Sequence, residues 1–388
     1  MAREAFGLLP SDAGADSAVL VGRVWDPETQ GPRVVVVLGN CVHDITSSVG
    51  TVSDLLEVSN PVQAIAHAVG QPRWATAEIL SASLEQDAER PHLLAPIDLQ
   101  VVKACGVTFI ESMVERVIEE RCGGDVSRVS EVRSQIGSVL NGSLASLRPG
   151  SPEALRAKEV LTAQGMWSQY LEVGIGPYPE VFTKAPVLSC VGYGAAVGIP
   201  TFSSWNNPEP ELVLLVNSRG DIRGATLGND VNLRDIEGRS SLLLGMAKDN
   251  NASSAVGPFV RLFDDQFTLG SLRDEEISLT VNGLDGYVLQ GENNVAHISR
   301  PFEELVAAVQ GDHHQYPDGF CLFTGTLFAP TQDRGAPGQG FTHKRGDVVT
   351  IRSRHLGALV NITGVAEELP KWTYGIRELV AYLRSCEG

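Results

Sequence analysis

The sequence predicts an α+β protein: a β-rich body with a helical insertion and a small N-terminal α/β domain. Three observations predict it. Residues 17–45 read as strands broken by a turn, with two short helical stretches after them. Residues 113–172 repeat apolar side chains at spacings of three and four. After residue 180, short apolar runs alternate with Gly, Asn and Asp turns. At the usual ~100–200 residues per domain, 388 residues make about two domains. A soft boundary near residues 95–100 divides the chain into 1–97 and 98–388.

Each element follows from local chemistry. Ser17 to Trp25 is apolar-rich, Asp26-Pro27-Glu28-Thr29 is a turn, and Arg33 to Leu38 holds four consecutive valines. Val52–Val58 and Asn60–Gly70 read as short helices. In the insertion, Val126, Val129, Val132, Ile136 and Val139-Leu140 form one apolar face. Ser151-Pro152-Glu153 is a helix start, with a cap, a first-turn proline and an acid near the positive end. Glu211–Val216, Ile222–Leu227, Ile277–Val281, Tyr287–Leu289, Asp347–Ile351 and Ala358–Ile362 read as strands, and Arg219-Gly220-Asp221 and Asn282-Gly283 as hairpin-type turns. The C-terminus reads as an amphipathic helix presenting Ile376, Leu379, Val380 and Leu383 on one face.

Composition excludes several function classes. With 47 acidic against 30 basic side chains, the net charge is −17. That weighs against nucleic acid and anionic membrane as partners, which need a positive surface. Hydrophobic residues at 43% and charged residues at 20% fit a folded core rather than a disordered chain. The six cysteines form no Cys-x-x-Cys pair, so the expectation is reduced thiols in a cytoplasmic protein. The N-terminus has no secretory h-region, and no apolar run approaches the ~18 residues of a membrane helix.

The segment 206–258 is the most informative. Prolines at 208 and 210 force extended backbone, so Glu209 and Glu211 share one side. A tight turn centred between Gly220 and Asp221 would set Glu211 opposite Asp230. Three carboxylates converging at an apolar hairpin mouth call for a cation, and an oxygen-only set suits Mg2+ or Mn2+ better than Zn2+. The alternative is a solvated acidic rim. Lys248 is either a surface charge or, beside such a centre, a holder of an anionic group or a proton carrier.

In combination these motifs resemble the fumarylacetoacetate hydrolase superfamily over roughly residues 105–365. The matching elements are Glu209-Pro210-Glu211, Asn229-Asp230-Val231 with Arg234-Asp235, and Lys248 with Gly257-Pro258. Phe323-Thr324-Gly325-Thr326, Gly346-Asp347-Val348-Val349 and the upstream Phe182-Thr183-Lys184 complete them. The resemblance implies a rolled mixed sheet, a site with Glu209, Glu211 and Asp230 as ligands to Mg2+ (or Mn2+), and a homodimer or homotetramer. Hydrolytic members carry a His-x-x-Glu pair in a lid segment; here Ser112 stands at the His position and Glu115 keeps the acid. That departure, with Gly106-Val107-Thr108 and Pro179-Glu180-x-Phe182-x-Lys184, resembles the 2-keto-3-deoxy-pentonate (xylonate or arabinonate) dehydratase branch.

The branch implies a Mg-dependent hydro-lyase of pentose oxidation that converts a small anionic 2-keto-3-deoxy acid to 2,5-dioxopentanoate through an enolate stabilised by the cation. It needs one base near C3 and one acid near O4. Glu180 and Lys248 are the candidates, with Glu111 or Glu115 as a lid acid. Lys184, Ser112, Thr326, Gly325 and Arg234 are candidate substrate contacts, with Arg234 also a partner for a metal ligand. His313, His314 and His343 read as loop residues rather than ligands. The competing readings are an acylpyruvate-type hydrolase or oxaloacetate-type decarboxylase, and a non-enzymatic metal-binding scaffold.

Overall fold

The valine run predicted as a strand lies inside a large mixed sheet. The structure, a computed structural model, describes residues 8–134, 147–335 and 337–386. The N-terminal third supplies β1 (Leu20–Asp26), β2 (Gly31–Leu38), β3 (Cys41–Asp44), β4 (Trp74–Ala75), β5 (His92–Leu94) and β6 (Val101–Gly106). After the helical stretch come β7 (Glu180–Ala185), β8 (Ala196–Ile199), β9 (Asn206–Asn207), β10 (Pro210–Val216), β11 (Ile222–Asp230), β12 (Asn232–Leu233) and β13 (Ser254–Leu262). The chain continues through β14 (Glu276–Asn282), β15 (Val288–Asn294), β16 (Phe320–Phe323), β17 (Val348–Ser353) and β18 (Gly357–Val365).

One sheet runs β4-β3-β2-β1-β13-β11-β10-β16-β6-β7, with β5 also paired to β1; a second runs β15-β14-β17-β18-β8. The pairs β16–β6 and β18–β8 are parallel and the others antiparallel, which makes both sheets mixed. Strands on the two sides of residue 97 share the large sheet, joined where Leu20 and Val21 pair with Arg261 and Val260.

Strand β10 has no solvent face. Its Leu212, Leu214 and Val216 enter one apolar core with Phe320 and Leu322, while Val213 and Leu215 enter another with Val34, Val36 and Phe323. Alternation at period two therefore fills two cores at once, and a continuous apolar run results.

The hairpin register differs from the sequence expectation. Pro210 pairs with Asn229 and Glu211 with Gly228, so Asp230 is not directly opposite Glu211. The connection is a wider loop, Asn217 to Asp221, because the Asn217 side chain accepts from the backbone N–H groups of Arg219 (3.1 Å) and Asp221 (2.9 Å). From Pro210 to Leu215 the offset is two residues, which keeps those side chains on their expected face, and a bulge then pairs Val216 with Ile222.

The helical stretch forms Ile110–Cys122, Pro152–Ala163 and Gln169–Ile175. Ser151 caps the second, accepting from Ala154 N–H at 3.2 Å. Val129 and Val132 are buried with Val117 and Leu171. Ile136, Val139 and Leu140 lie outside the described residues. The C-terminal helix, Ile376–Cys386, buries Leu379 and Tyr382 but leaves Ile376 and Val380 exposed, contrary to the predicted face. It sits so close to β2 that a Cβ on Gly31 would stand 2.0 Å from the Tyr382 ring, which narrows its buried stripe.

Candidate active site

The site is built at the mouth of the β10–β11 hairpin. Glu209 precedes β10, Glu211 lies in it, and Asp230 ends β11. All three are buried, and one carboxylate oxygen from each lies within 4.8 Å of the others. The backbone N–H of Asp230 donates to the Glu209 carbonyl at 3.0 Å, which closes the hairpin at these residues. Gly325 donates its N–H to Glu211 Oε2 at 2.7 Å. Gly325 has a φ of +102°, and a Cβ there would lie 2.0 Å from Thr108 Oγ1, so only glycine brings this N–H to Glu211.

Three buried cations face the carboxylates. Lys248 Nζ donates to Glu209 Oε2 at 2.6 Å and to Asp230 Oδ2 at 2.9 Å. Lys184 Nζ lies 2.9 Å from Asp230 Oδ1, and Arg116 donates from Nη2 to Glu209 Oε1. Burial pushes the Asp230 carboxyl up, but Lys184 and Lys248 outweigh it and hold Asp230 below the usual carboxylate range. Among the described residues Glu211 has no such direct partner. Burial, then the Asp230 charge, push it well above the ordinary range.

A divalent cation fits this arrangement. Six acids, Glu119, Glu180, Glu209, Glu211, Asp230 and Glu237, outnumber the four bases Arg116, Lys184, Arg234 and Lys248 around them. Burial first, and then the Asp230 charge, raise Glu211, so a cation placed here would offset both. Glu209, Glu211 and Asp230 offer only hard oxygen donors, the set preferred by Mg2+ or Mn2+.

Glu180 opens β7 opposite Gly106 on β6. Burial and the Glu237 charge raise its pKa to about 7, with Lys248 and Arg116 pulling the other way. A Cβ on Gly106 would stand 1.8 Å from Glu180 Oε2. Gly106→Ala is therefore expected to displace the carboxylate and lower kcat about a hundredfold while the protein stays folded. Steady-state kinetics beside a circular dichroism melt check this, and unchanged kcat would remove Glu180 from the reaction.

Other predicted residues have different tasks. Lys184 is fully buried, and its ammonium also donates to the carbonyls of Ser253 (3.1 Å), Val231 (3.4 Å) and Lys248. It holds Asp230 in place and is closed off from a substrate. Ser112 donates its hydroxyl to the Phe109 carbonyl at 2.8 Å, and Thr326 donates to the Phe328 carbonyl at 2.9 Å. Both hydroxyls are spent on nearby backbone, as short polar side chains often are. Glu115 is buried in a two-pronged pair with Arg133, whereas Glu111, one turn earlier, is exposed beside a cavity of about 750 Å³ lined by Arg148, Asn293 and His297. Arg234 was expected to pair with a metal ligand. Instead it lies 3.3 Å from Glu119 and donates to Asn207 Oδ1 at 2.7 Å. His343 sits in a loop as predicted but is buried, 3.3 Å from Asp347.

Arg116, Glu119 and Glu237 escaped the sequence reading. Every residue from Ser112 to Glu119 is buried, so the Ile110–Cys122 helix has no solvated face along that stretch. The available signal was the dense run Glu115-Arg116-x-x-Glu119 interleaved with Met113, Val114, Val117 and Ile118, since buried charges must be paired.

The family described as fumarylacetoacetate (FAA) hydrolase C-terminal matches residues 159–363. The chain is 33% identical over 182 residues to a 2-dehydro-3-deoxy-D-arabinonate dehydratase of Saccharolobus solfataricus, a match covering 47% of this chain and 57% of that protein. It is 34% identical over 197 residues to a "Probable 2-keto-3-deoxyxylonate dehydratase" of Haloferax volcanii, covering 50% of this chain and 64% of that one. Each match spans less than two thirds of the relative's length. Among solved structures, 2-keto-3-deoxy-D-arabinonate dehydratase complexed with magnesium and 2,5-dioxopentanoate superposes with a TM-score of 0.62 at 21% identity, covering 89% of this chain and 99% of that one. Its apo form gives the same score and coverage. The family match takes in just over half of the chain and contains all three clustered carboxylates, and the chain therefore belongs to the fumarylacetoacetate hydrolase family.

Proposed function

We propose that the protein removes water from a 2-keto-3-deoxy-pentonate to give 2,5-dioxopentanoate, with Mg2+ (or Mn2+) held by Glu209, Glu211 and Asp230. The observation that carries this is the pairing of a buried carboxylate triad with Lys248 and a raised Glu180. Two dehydratases of such acids among its relatives, and a structural neighbour holding magnesium and 2,5-dioxopentanoate, support the substrate class.

When bound, the cation supplies Lewis acidity for the charge that develops on the keto acid oxygens. Glu180, as carboxylate, takes the C3 proton. A pKa near 7 suits a base that must both hold and release a proton near neutral pH. Lys248 uses two N–H groups on Glu209 and Asp230, and its third N–H serves the departing C4 hydroxyl. One water leaves and sets a C3=C4 double bond beside the C5 alcohol. Loss of a C5 proton with return of a proton to C3 moves the double bond to C4=C5, and this enol takes a proton at C4 to become the C5 aldehyde.

The hydrolytic reading has less support, because Ser112 replaces the lid histidine and its hydroxyl is turned to the helix backbone. We place the enzyme in pentose oxidation, as a cytoplasmic homodimer or homotetramer. All six cysteines are free, and among the described residues no helix is long and apolar enough to cross a membrane.

The test is a screen of 2-keto-3-deoxy sugar acids with Mg2+, coupled to a semialdehyde dehydrogenase. The expected result is cofactor reduction with one or more pentonates, abolished by chelator. Pyruvate release from acylpyruvates without dehydration would overturn the proposal.

A further inference from the structure

We infer that Arg116 is a positioning residue that couples docking of the Ile110–Cys122 helix to cation binding at Glu209, Glu211 and Asp230. This rests on the cation reading given above. Arg116 is 5% exposed at the middle of the helix. Its guanidinium spans three carboxylates from three elements. Nη1 donates to Glu119 at 2.5 Å on the same helix, and Nε lies 3.6 Å from Glu237 on the helix Arg234–Glu237. Nη2 donates to Glu209 Oε1, the only one of the three that belongs to the clustered triad.

The consequence is geometric. Glu209 has Arg116 on one oxygen and Lys248 on the other, so the carboxylate plane is fixed and only its remaining lone pairs can reach a cation. Hydrogen-bond donors behind a ligating carboxylate orient it, and their loss typically weakens metal affinity about 10–100-fold. Glu119 and Glu237 overcome the cost of burial and hold Arg116 firmly protonated, so it stays a fork of donors. Lysine would keep the charge but reach fewer of these oxygens. The same side chain ties the helix to the site, because its partners Glu209 and Glu237 lie outside the helix. Ordering Glu209 around a cation therefore also orders the helix.

Mn2+ titration followed by electron paramagnetic resonance, together with amide exchange of residues 110–122, tests this on wild type, Arg116→Met and Arg116→Lys. The expected result is a tenfold or greater loss of Mn2+ affinity in Arg116→Met, with Arg116→Lys between it and wild type. Mn2+ should slow exchange of the helix in wild type and do so less in the variants. Arg116→Met that is native by circular dichroism and binds Mn2+ as tightly as wild type, or more tightly, overturns the inference. If Arg116→Met does not fold, wild-type exchange decides, and a helix indifferent to bound Mn2+ overturns it. Wild type that binds no Mn2+ overturns the cation reading itself, an outcome separate from binding that ignores position 116.

Discussion

Glu211→Gln is expected to abolish cation-dependent turnover, by about a thousandfold or more, and to leave the fold intact. A cation acting as Lewis acid contributes several kcal/mol to the transition state, and ~4 kcal/mol corresponds to about a thousandfold in rate. Glutamine keeps the shape of the side chain, and its carbonyl oxygen can still accept from Gly325 N–H, now 2.7 Å from Glu211 Oε2. It removes a carboxyl whose ionisation burial and the neighbouring Asp230 already oppose. Cation-free Glu211→Gln should therefore melt at or above the wild-type temperature. Saturating Mg2+ should raise the melting temperature of wild type but not of the variant, since only a ligand bound to the folded state stabilises it. Full activity in Glu211→Gln would dismiss the metal assignment.

Glu180→Gln is expected to lower kcat about 10²–10⁴-fold, the usual contribution of a general base. The working form is the carboxylate; its pKa is about 7 in the cation-free protein, and a bound dication would draw the acid limb of kcat/KM below that value. Below that limb the rate should fall tenfold per pH unit, and in Glu180→Gln the limb should vanish with the activity. Stability carries the opposite sign. The folded protein holds the Glu180 proton more tightly than the unfolded chain, so the contribution is complete below the ordinary carboxylate pKa and is lost as pH rises through about 7. Melting temperature measured against pH without cation should decline over that window in wild type and less so in Glu180→Gln. A rate that persists in Glu180→Gln assigns the base elsewhere.

The metal-type triad was legible because strand geometry is periodic. Glu209 and Glu211 had to share a face, and a register error of two residues left Asp230 on that face. An error of one would have turned it away. The wider loop was not legible, because it depends on the Asn217 side chain capturing two backbone N–H groups. Arg116, Glu119 and Glu237 were missed for a different reason. Arg116 joins Glu119 on its own helix to Glu209 and Glu237 far along the chain, and no local spacing encodes a fork that spans 116, 209 and 237. Ser112 and Thr326 show a further limit, because a hydroxyl near a site is as able to satisfy the backbone as a substrate. The same limit applies to Lys184, whose total enclosure is a property of packing around β7 and β13.

The short seam between β1 and β13 gives the N-terminal residues a duty toward the chemistry. Strand β13 pairs on one side with β11, which carries Asp230, and on the other with β1 at Leu20 and Val21. Val191 bridges to Ala255 farther along the same outer side. The beginning of the chain thus works as a selvedge, the finished border that keeps a woven cloth from fraying. Cutting it away would turn β13 into an open edge one strand from Asp230, with unpaired backbone groups that invite association with another chain.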